Sequence, residues 1–376
     1  MKKSLITLAV AALFGLTGTF LVAAEAPSNA TIVKLTGSVK VQLPGAAAAV
    51  VVKVGDQIPQ GSIITTGPGA EVFVQPFDGT VSVVKENATV VVEKLSLSTQ
   101  DGVVKKQSAL LNLKAGNLVS IIDPAKRAIN DYSVRTPVGV AAARGTEFAI
   151  SVDGAAVNIV STSSSVAFST GGNTYTISAG LVSINGAPGV PLASISTSNP
   201  GVATLIGQSV GAFATSLANN LQGLSTDSAI TLASQIAGVA AAASPGQAAT
   251  YNAQIVGAIS TSSTFAGTNA SNAIASVTAA SASSAGSQYA SAIASQAAAA
   301  APSQAGTIAA SVAQAVPGSA DAVNQAVAGA TGQSVGAVAA AASAASGQTT
   351  QAVAQTAPTV TATVTPIDTA VVSGNH

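Results

Sequence analysis

The chain has 376 residues, of which only 7% are charged and 3% aromatic, and it contains neither cysteine nor tryptophan. Without cysteine no disulfide can form, so its domains must be stable through core packing and backbone hydrogen bonds. The only histidine is His376, which excludes histidine-dependent nucleophilic systems and histidine metal sites. The carboxylates form no catalytic pattern, and no phosphate-binding glycine loop is present. We expect a protein that is not an enzyme and needs no metal or cofactor.

The basic residues are confined to the first part of the chain. All fourteen Lys and Arg residues lie at or before Arg144, and the remainder consists mainly of Ala, Ser, Gly, Thr, Gln and Val. Removal of residues 1–24 would leave twelve bases against fourteen acids, a formal charge of −2. This balance disfavours nucleic acid as a partner.

The first 24 residues have the features of a secretory signal peptide. Lys2 and Lys3 precede an apolar stretch at residues 5–22, and small residues follow up to Ala24. We expect cleavage near Ala24 and export to the periplasm, the outer surface or the extracellular medium. An uncleaved signal anchor is the alternative, but glycine and threonine interrupt the apolar stretch and favour removal. We expect no membrane span in the mature chain.

Short β-branched segments separated by turn residues occupy the chain from Thr31 onward. Gly, Pro or Asp-Gly interrupts them about every ten residues, as in all-β folds. The pattern predicts an all-β domain, a sandwich or roll of short strands, at residues 31–192. The predicted strands are 31–35, 38–43, 50–54, 62–66, 71–74, 81–84, 89–92, 109–113, 118–122, 132–135, 147–152, 156–160, 165–168 and 174–178.

A series of short motifs runs through this region. Its residues are Gly55, Asp56, Thr66, Gly67, Asp78, Gly79, Gly116, Thr136, Pro137, Arg144, Gly145, Thr146 and Phe148. The Thr-Pro pair followed by Arg-Gly-Thr-Glu-Phe is the most specific element. In this order the motifs resemble the FecR domain, the extracytoplasmic module of ferric-citrate-type signalling proteins. The resemblance implies an exported β-module for binding or assembly.

Each motif also has a structural interpretation, which we favour over a catalytic one. Gly55-Asp56 and Asp78-Gly79 are turn residues that supply positive φ angles or side-chain hydrogen bonds to the backbone. Thr136-Pro137 favours extended backbone before the proline. Arg144 and Glu147, three residues apart, predict a local ion pair or hydrogen bonds from Arg144 to turn carbonyls, in preference to ligand recognition.

Two markers keep a period of 15 residues in the second half of the chain. The helix-breaking markers are Pro302, Pro317, Gly332 and Gly347, and the apolar ones are Ile293, Ile308, Val323, Val338 and Val353. A spacing of 19 residues relates Ile236, Ile255, Ile274 and Ile293. This periodicity predicts an Ala-rich array of short helices at residues 200–347, with Ser303, Ser319 and Ser334 in N-cap or first-turn positions.

The small residues of this region leave alternatives open. A disordered low-complexity stalk has a similar composition. Residues 201–218 are uncharged but only weakly apolar, so a helix packed through small residues is favoured over a membrane span. Residues 351–376 place Pro358 and Pro366 among Thr and Val, and they predict a flexible or edge-strand tail.

These features indicate an exported, noncatalytic structural or interaction protein. The FecR-like domain would bind a protein or an envelope component, and the helices would act as a spacer or an assembly element, with self-association among the expected partnerships. The alternative is a FecR-like signalling component that senses an extracytoplasmic ligand. Members that restrain sigma factors carry a cytoplasmic segment and a membrane-spanning helix before the domain, whereas here we expect only a signal peptide before Thr31.

Overall fold

The protein is described by a computed structural model over residues 25–265 and 267–354, with side chains described up to residue 347. Strands occupy residues 25–191, and helices follow from Leu192 to Ala354. The predicted class, an all-β region followed by an array of short helices, is confirmed, and the alternative of a disordered stalk is wrong for the described helices. The predicted signal peptide and the tail after Ala354 lie outside the described residues.

The β region contains eighteen strands within the described residues. They are β1 Glu25–Pro27, β2 Asn29–Thr36, β3 Val39–Gln42, β4 Val50–Val51, β5 Gln57–Pro59, β6 Ile63–Thr66, β7 Glu71–Phe77, β8 Thr80–Val84, β9 Thr89–Gln100, β10 Val103–Ile122, β11 Asn130–Thr136, β12 Gly139–Ala143, β13 Glu147–Asp153, β14 Ala156–Ser161, β15 Ser165–Thr170, β16 Asn173–Ser178, β17 Leu181–Ile184 and β18 Val190–Pro191. Every predicted strand overlaps one of them.

These strands form two sheets. Sheet A has the order β4-β3-β6-β9-β10-β11-β12-β15-β16, and β1 pairs with the far end of β9 on the side of β6. Sheet B has the order β5-β2-β7-β8-β10-β13-β14-β17-β18. Only the β10–β11 pair is parallel among the described strands. Apolar side chains from the inner faces, among them Leu113, Phe148 and Phe168, fill the space between the sheets.

Strand β10 belongs to both sheets. Residues up to Ala115 pair within sheet A, and residues from Gly116 onward pair within sheet B. The sequence predicts two separate strands here, at 109–113 and 118–122, but the structure joins them through Gly116, whose φ is +84°. A Cβ at Gly116 would lie 2.5 Å from the Cα of Ala88, so both the backbone angle and the close approach require glycine.

The helices are α1 Leu192–Ile195, α2 Pro200–Ala218, α3 Thr226–Ala243, α4 Ala248–Thr261, α5 Thr268–Ala285, α6 Ala290–Ala300, α7 Ala305–Ala315, α8 Ala320–Thr331 and α9 Val335–Ala354. Short 3₁₀ turns lie at Pro124–Lys126, Pro245–Gln247, Ser287–Tyr289 and Pro302–Gln304. Helices α2, α4, α6 and α8 pack in one layer, and α3, α5, α7 and α9 pack in a second.

The apolar markers of the sequence lie inside this array. Helices α6 to α9 begin at Ala290, Ala305, Ala320 and Val335, so they start every 15 residues. The described markers are fully buried, namely Ile236, Ile255, Ile274, Ile293, Ile308, Val323 and Val338. Val353 lies beyond the described side chains. Of the predicted capping residues, Ser334 accepts a hydrogen bond from the backbone N–H of Ala337, Ser319 precedes α8 without a side-chain cap, and Ser303 lies in a 3₁₀ turn.

The array packs on the outer face of sheet B through α2. Strands β7, β8, β10, β13, β14 and β17 contribute to the same core as the helices, with side chains such as Phe73, Val119 and Ala149. Asn117 donates a 2.9 Å hydrogen bond to the side chain of Gln208 at this contact. Within the described residues α2 is the one helix long and apolar enough to cross a membrane, but over half of it is buried inside the protein.

Candidate functional site

Two of the motif pairs form turns around strands β2 and β6. Gly55 has a φ of +93°, and Asp56 accepts a hydrogen bond from the backbone N–H of Lys53 at 2.9 Å. The buried Thr66 hydroxyl donates to the carbonyl of Lys85 and accepts from the N–H of Ala88. Asp56 thus stabilises the turn after β4, and Thr66 connects the end of β6 to the loop between β8 and β9. The neighbouring Gly67 donates its N–H to the carbonyl of Ser38.

A second group of motif residues meets at the Asp123–Arg127 loop. Asp78 and Gly79 form the turn between β7 and β8, and Asp78 pairs with Lys126. The N–H of Asp123 donates to the carbonyl of Gly79 at 2.7 Å. A Cβ at Gly145 would lie 2.6 Å from the Cα of Pro124, so this loop seats against two motif glycines. Residues distant in sequence are thereby brought together for packing.

The remaining motif residues lie in strands and hairpins of the core. Thr136 and Pro137 begin the turn between β11 and β12, where the Thr136 hydroxyl donates to the carbonyl of Gly139. Thr146 is fully buried and lies 3.4 Å, hydroxyl to hydroxyl, from Ser163. The Phe148 ring is buried and meets the Tyr132 ring edge-on. None of these residues points to a catalytic arrangement.

The expected ion pair between Arg144 and Glu147 is wrong. Arg144 is exposed in the turn after β12, whereas Glu147 begins β13 and is fully buried. Glu147 shares the face of β13 that carries Ala149, so its carboxylate points toward helix α2. The three-residue spacing suggested proximity, but the start of the strand turns the two side chains to different environments.

The carboxylate of Glu147 lies in the contact between sheet B and α2. Burial raises its pKa to about 8, and the nearby Ser209 hydroxyl of α2 opposes that shift only in part. Neither carboxylate oxygen nor the Ser209 hydroxyl reaches hydrogen-bond geometry with a described group. The neutral acid is therefore the favoured form near neutral pH. The sequence-based prediction paired Glu147 with Arg144 and missed its burial, although its alternation with Ala149 places it on an apolar face.

A buried tyrosine links the two sheets. The Tyr132 hydroxyl lies 2.7 Å from the hydroxyl of Ser82 and 2.8 Å from that of Ser120, so sheet A is joined to two strands of sheet B. Burial raises the pKa of Tyr132 to about 12, and the two serine contacts oppose the shift. The tyrosine stays neutral, which fits a structural role.

Strand β4 forms an open apolar edge of sheet A. It pairs only with β3 in the described chain, through Val51 with Lys40 and Val50 with Val41. Residues 43–52 carry no charge, and the exposed fractions are 52% for Val50 and 75% for Val51. Exposed apolar side chains beside unpaired backbone groups are the features of a strand-addition site. We call residues 43–54 the open edge.

The other sheet ends are less suited to strand addition. Strands β5 and β18 include Pro59 and Pro191, each of which lacks a backbone donor. Strand β16 ends sheet A with polar residues, including Thr174 and Thr176. Strand β18 is also exposed, but Pro191 removes one of its backbone donors, whereas both residues of β4 keep theirs.

The described residues do not indicate a metal site. Within residues 25–265 and 267–354, no group of three or more His, Cys, Asp or Glu side chains could hold a metal ion. Apart from Lys53, the open edge offers backbone groups and mainly aliphatic side chains, which suit a peptide strand.

Comparison with known families finds a match within the β region. Residues 62–167 match the family model described as FecR protein. The chain contains a FecR domain. The match begins at β6 and ends within β15, so it includes Thr66, Gly67, Asp78, Gly79 and Gly116 together with the motif from Thr136 to Phe148. The resemblance predicted from the sequence is confirmed, and Gly55 and Asp56 lie outside the matched residues.

Solved structures show a more limited likeness. Two crystal structures of a "putative anti-sigma factor" from Parabacteroides distasonis match at 14% and 13% sequence identity, each with a TM-score of 0.26. Each match covers 32% of this chain and 53% of the other, so the chain spans about half the length of these structures. No curated protein matches the sequence.

Proposed function

We propose that the protein is an exported, noncatalytic binding protein whose FecR domain takes an extended peptide strand at the open edge. The single observation that carries this proposal is the exposed, uncharged β4 strand with one side unpaired in the described chain. Main-chain hydrogen bonds would supply affinity, and contacts to Val50 and Val51 would supply selectivity for apolar side chains. The family match supports a role in protein interaction, since FecR proteins belong to signalling systems.

The helical array acts as a rigid extension of the FecR domain in this proposal. Its first long helix, α2, packs on sheet B with Val202, Leu205 and Phe213 in the shared core. Sheet A, with the open edge, lies on the other side of sheet B. The array therefore leaves the open edge accessible while it fixes the position of whatever follows α9.

Site-specific crosslinking in the source cells tests the proposal. Because the chain has no cysteine, Val51→Cys introduces a single thiol for a photoactivatable label, and Asp153→Cys in the exposed β13–β14 turn is the matched control. We expect adducts from position 51 that disappear when Val50→Asp is added, and none from position 153. Cell fractionation should find the chain outside the cytoplasm. Equal labelling from both positions, or a cytoplasmic chain, would reject the proposal.

A signalling component that senses an extracytoplasmic ligand is the second candidate, and the FecR match favours it. Such a protein needs a route across the membrane. Helix α2, the one described helix that is both long and apolar enough, is packed against sheet B. Deletion of the gene followed by transcript profiling separates the candidates, because a sensor should alter a defined regulon and a binding protein should not.

A further inference from the structure

The open edge has room for one more strand, and this chain carries a segment of suitable sequence. Residues 359–365 read Thr-Val-Thr-Ala-Thr-Val-Thr, with Pro358 before them and Pro366 after them. Six of these seven residues are β-branched, which favours strands, and proline limits a strand at its ends. In an extended segment Val360, Ala362 and Val364 share one face, and the threonines share the other.

The two partners match in chemistry. Residues 359–365 carry no charge, and neither do residues 43–52 of the open edge. A charged strand would leave unpaired ionic groups beside Val50 and Val51, whereas valine and threonine side chains fit the pleated surface next to them. Seven residues is also an ordinary strand length.

The position of α9 indicates that residues 359–365 bind the open edge of a second copy of the chain. Helix α9 packs on α5, α7 and α8, whereas α2 is the helix on sheet B. Helix α9 is connected to α2 through α5 and α4. Three interhelical spacings of about 8–10 Å and an intersheet spacing of about 10 Å therefore lie between α9 and sheet A. The five residues from Ala354 to Thr359 reach at most roughly 18 Å. The segment falls short of the open edge of its own chain.

We propose that residues 359–365 of one copy add as an edge strand beside β4 of a second copy. This inference rests on the proposed use of the open edge for strand binding, and it names the strand. The donor segment (residues 359–365) and the acceptor (the open edge) are different surfaces of the chain. Each copy can therefore accept a strand from one neighbour and donate its own strand to another. Such a head-to-tail contact generates rings or open filaments, in contrast to a twofold dimer.

Variants that remove either surface test the assembly. The acceptor variant is Val51→Asp, with Val103→Asp as control at another exposed valine of the same sheet. The donor variants are a chain ending at Ala354 and the double change Val360→Asp and Val364→Asp, with Val371→Asp, beyond Pro366, as control. Size-exclusion chromatography with light scattering over a concentration series measures the mass. We expect growing oligomers for the chain from Glu25 onward and for both controls, and monomers for the three variants.

Mixing two monomeric variants gives the sharpest result. The chain ending at Ala354 keeps the acceptor edge, and Val51→Asp keeps the donor segment. We expect their mixture to form a one-to-one dimer and nothing larger, with a dissociation constant at least tenfold lower than that of either variant with itself. Circular dichroism of each variant checks that it is folded.

The outcomes separate this inference from the proposed function. Oligomers that persist in both Val51→Asp and the shortened chain would overturn the inference, as would a monomeric chain at every concentration. If the chain is monomeric while position 51 still gives its specific adducts in cells, the proposed function stands with another strand donor. If amide exchange at β4 accelerates on removal of the segment in a monomeric chain, the segment binds its own copy and the second-copy assignment is wrong.

Discussion

The two regions of this protein fill their cores in opposite ways. The FecR region buries large side chains, including Phe73, Phe148 and Phe168, between and behind two sheets. A helix of the array such as α6 buries four alanines around Ile293. Alanine contributes little apolar area, so the array depends on close approach of helix backbones. Substitutions that shorten buried side chains should therefore destabilise the FecR region. Substitutions that enlarge buried side chains should destabilise the array.

The regions differ as sharply in their charges. The FecR region carries surface ion pairs such as Lys85 with Glu71 at 2.5 Å and Arg135 with Glu93 at 2.8 Å. The array has no basic residue and so can form no internal ion pair. Its acidic residues Asp227 and Asp321 lie in the first turns of α3 and α8, where the helix dipole favours negative charge. Where the two regions meet, Asp78 lies beside Gly223 of the α2–α3 loop, and Glu147, whose charge burial disfavours, faces α2.

Replacement of Glu147 with glutamine tests whether the two regions form one cooperative unit. Burial raises the folded-state pKa from 4.5 to about 8, so between these pH values the folded state retains a proton that the unfolded state releases. The contribution of Glu147 to the free energy of unfolding is therefore fully present below pH 4.5 and is lost as the pH rises toward 8. The full shift corresponds to at most about 5 kcal/mol. Glu147→Gln should abolish this decline and stabilise the protein above neutral pH.

Urea unfolding between about pH 5 and pH 9 measures the effect, and amide exchange of α2 locates it. Asp153→Asn, at the exposed end of the same strand, is the matched control and should leave the decline unchanged. If Glu147→Gln unfolds with the same pH dependence as the parent chain, the carboxylate is not buried against α2. The packing of α2 on sheet B would then be looser than in this structure.

Replacement of Gly116 with alanine tests the strand that joins the two sheets. The added Cβ would lie 2.5 Å from Ala88, and φ is +84°, so steric overlap adds to backbone strain. We expect a loss of about 4 kcal/mol from the two effects together. Gly154→Ala also has a positive φ but nothing within 4 Å, and it should cost only about 1 kcal/mol. Equal losses for both variants in urea unfolding would show that the sheet switch tolerates a side chain.

The sequence predicted the strands and helices well because local patterns determine them. Residues 147–152 alternate and form β13, and the 15-residue spacing of Ile293 and Ile308 matches the starts of α6 and α7. It could not predict that β10 crosses between sheets, because the runs at 109–113 and 118–122 are separated by a glycine that is typical of a turn. Only the close packing of Gly116 on Ala88 distinguishes a continuous strand from two strands.

The candidate site was harder to predict than the fold. The open edge lies in a segment that reads as an ordinary strand at 50–54, and only tertiary structure shows that one side of Val50–Val51 stays unpaired in the described chain. Burial of Glu147 depends on α2, which lies some sixty residues later in the chain. Residues 43–52 carry no charge, but neither do residues 57–70, so the charge pattern alone does not indicate the edge.

Replacement of Tyr132 with phenylalanine tests the polar link inside the FecR region. The change keeps the ring against Phe148 and removes the hydroxyl that Ser82 and Ser120 share. Both serines would then lack that partner in the core, which should cost about 1–3 kcal/mol in urea unfolding. Phe148→Leu keeps the hydrogen bonds and removes the ring contact, so it serves as the packing control. No loss in Tyr132→Phe would mean that the serines find other partners.

Two glycine-to-alanine substitutions in the helical array should change stability by the smallest amounts, but in opposite directions. Glycine to alanine inside a helix normally stabilises by up to about 1 kcal/mol. A methyl group added at Gly329 in α8 would meet nothing within 4 Å, so Gly329→Ala should stabilise the array. A methyl group added at Gly306 in α7 would lie 2.7 Å from the Cβ of Ala341 in α9, with the carbonyl carbon and oxygen of that alanine also within 2.9 Å. Gly306→Ala should therefore destabilise by about 1–3 kcal/mol. Thermal unfolding measures the stability of both variants. If Gly306→Ala stabilises the protein, the substitution gains helix propensity without a steric clash. That result would contradict close approach of helix backbones as the basis of the array.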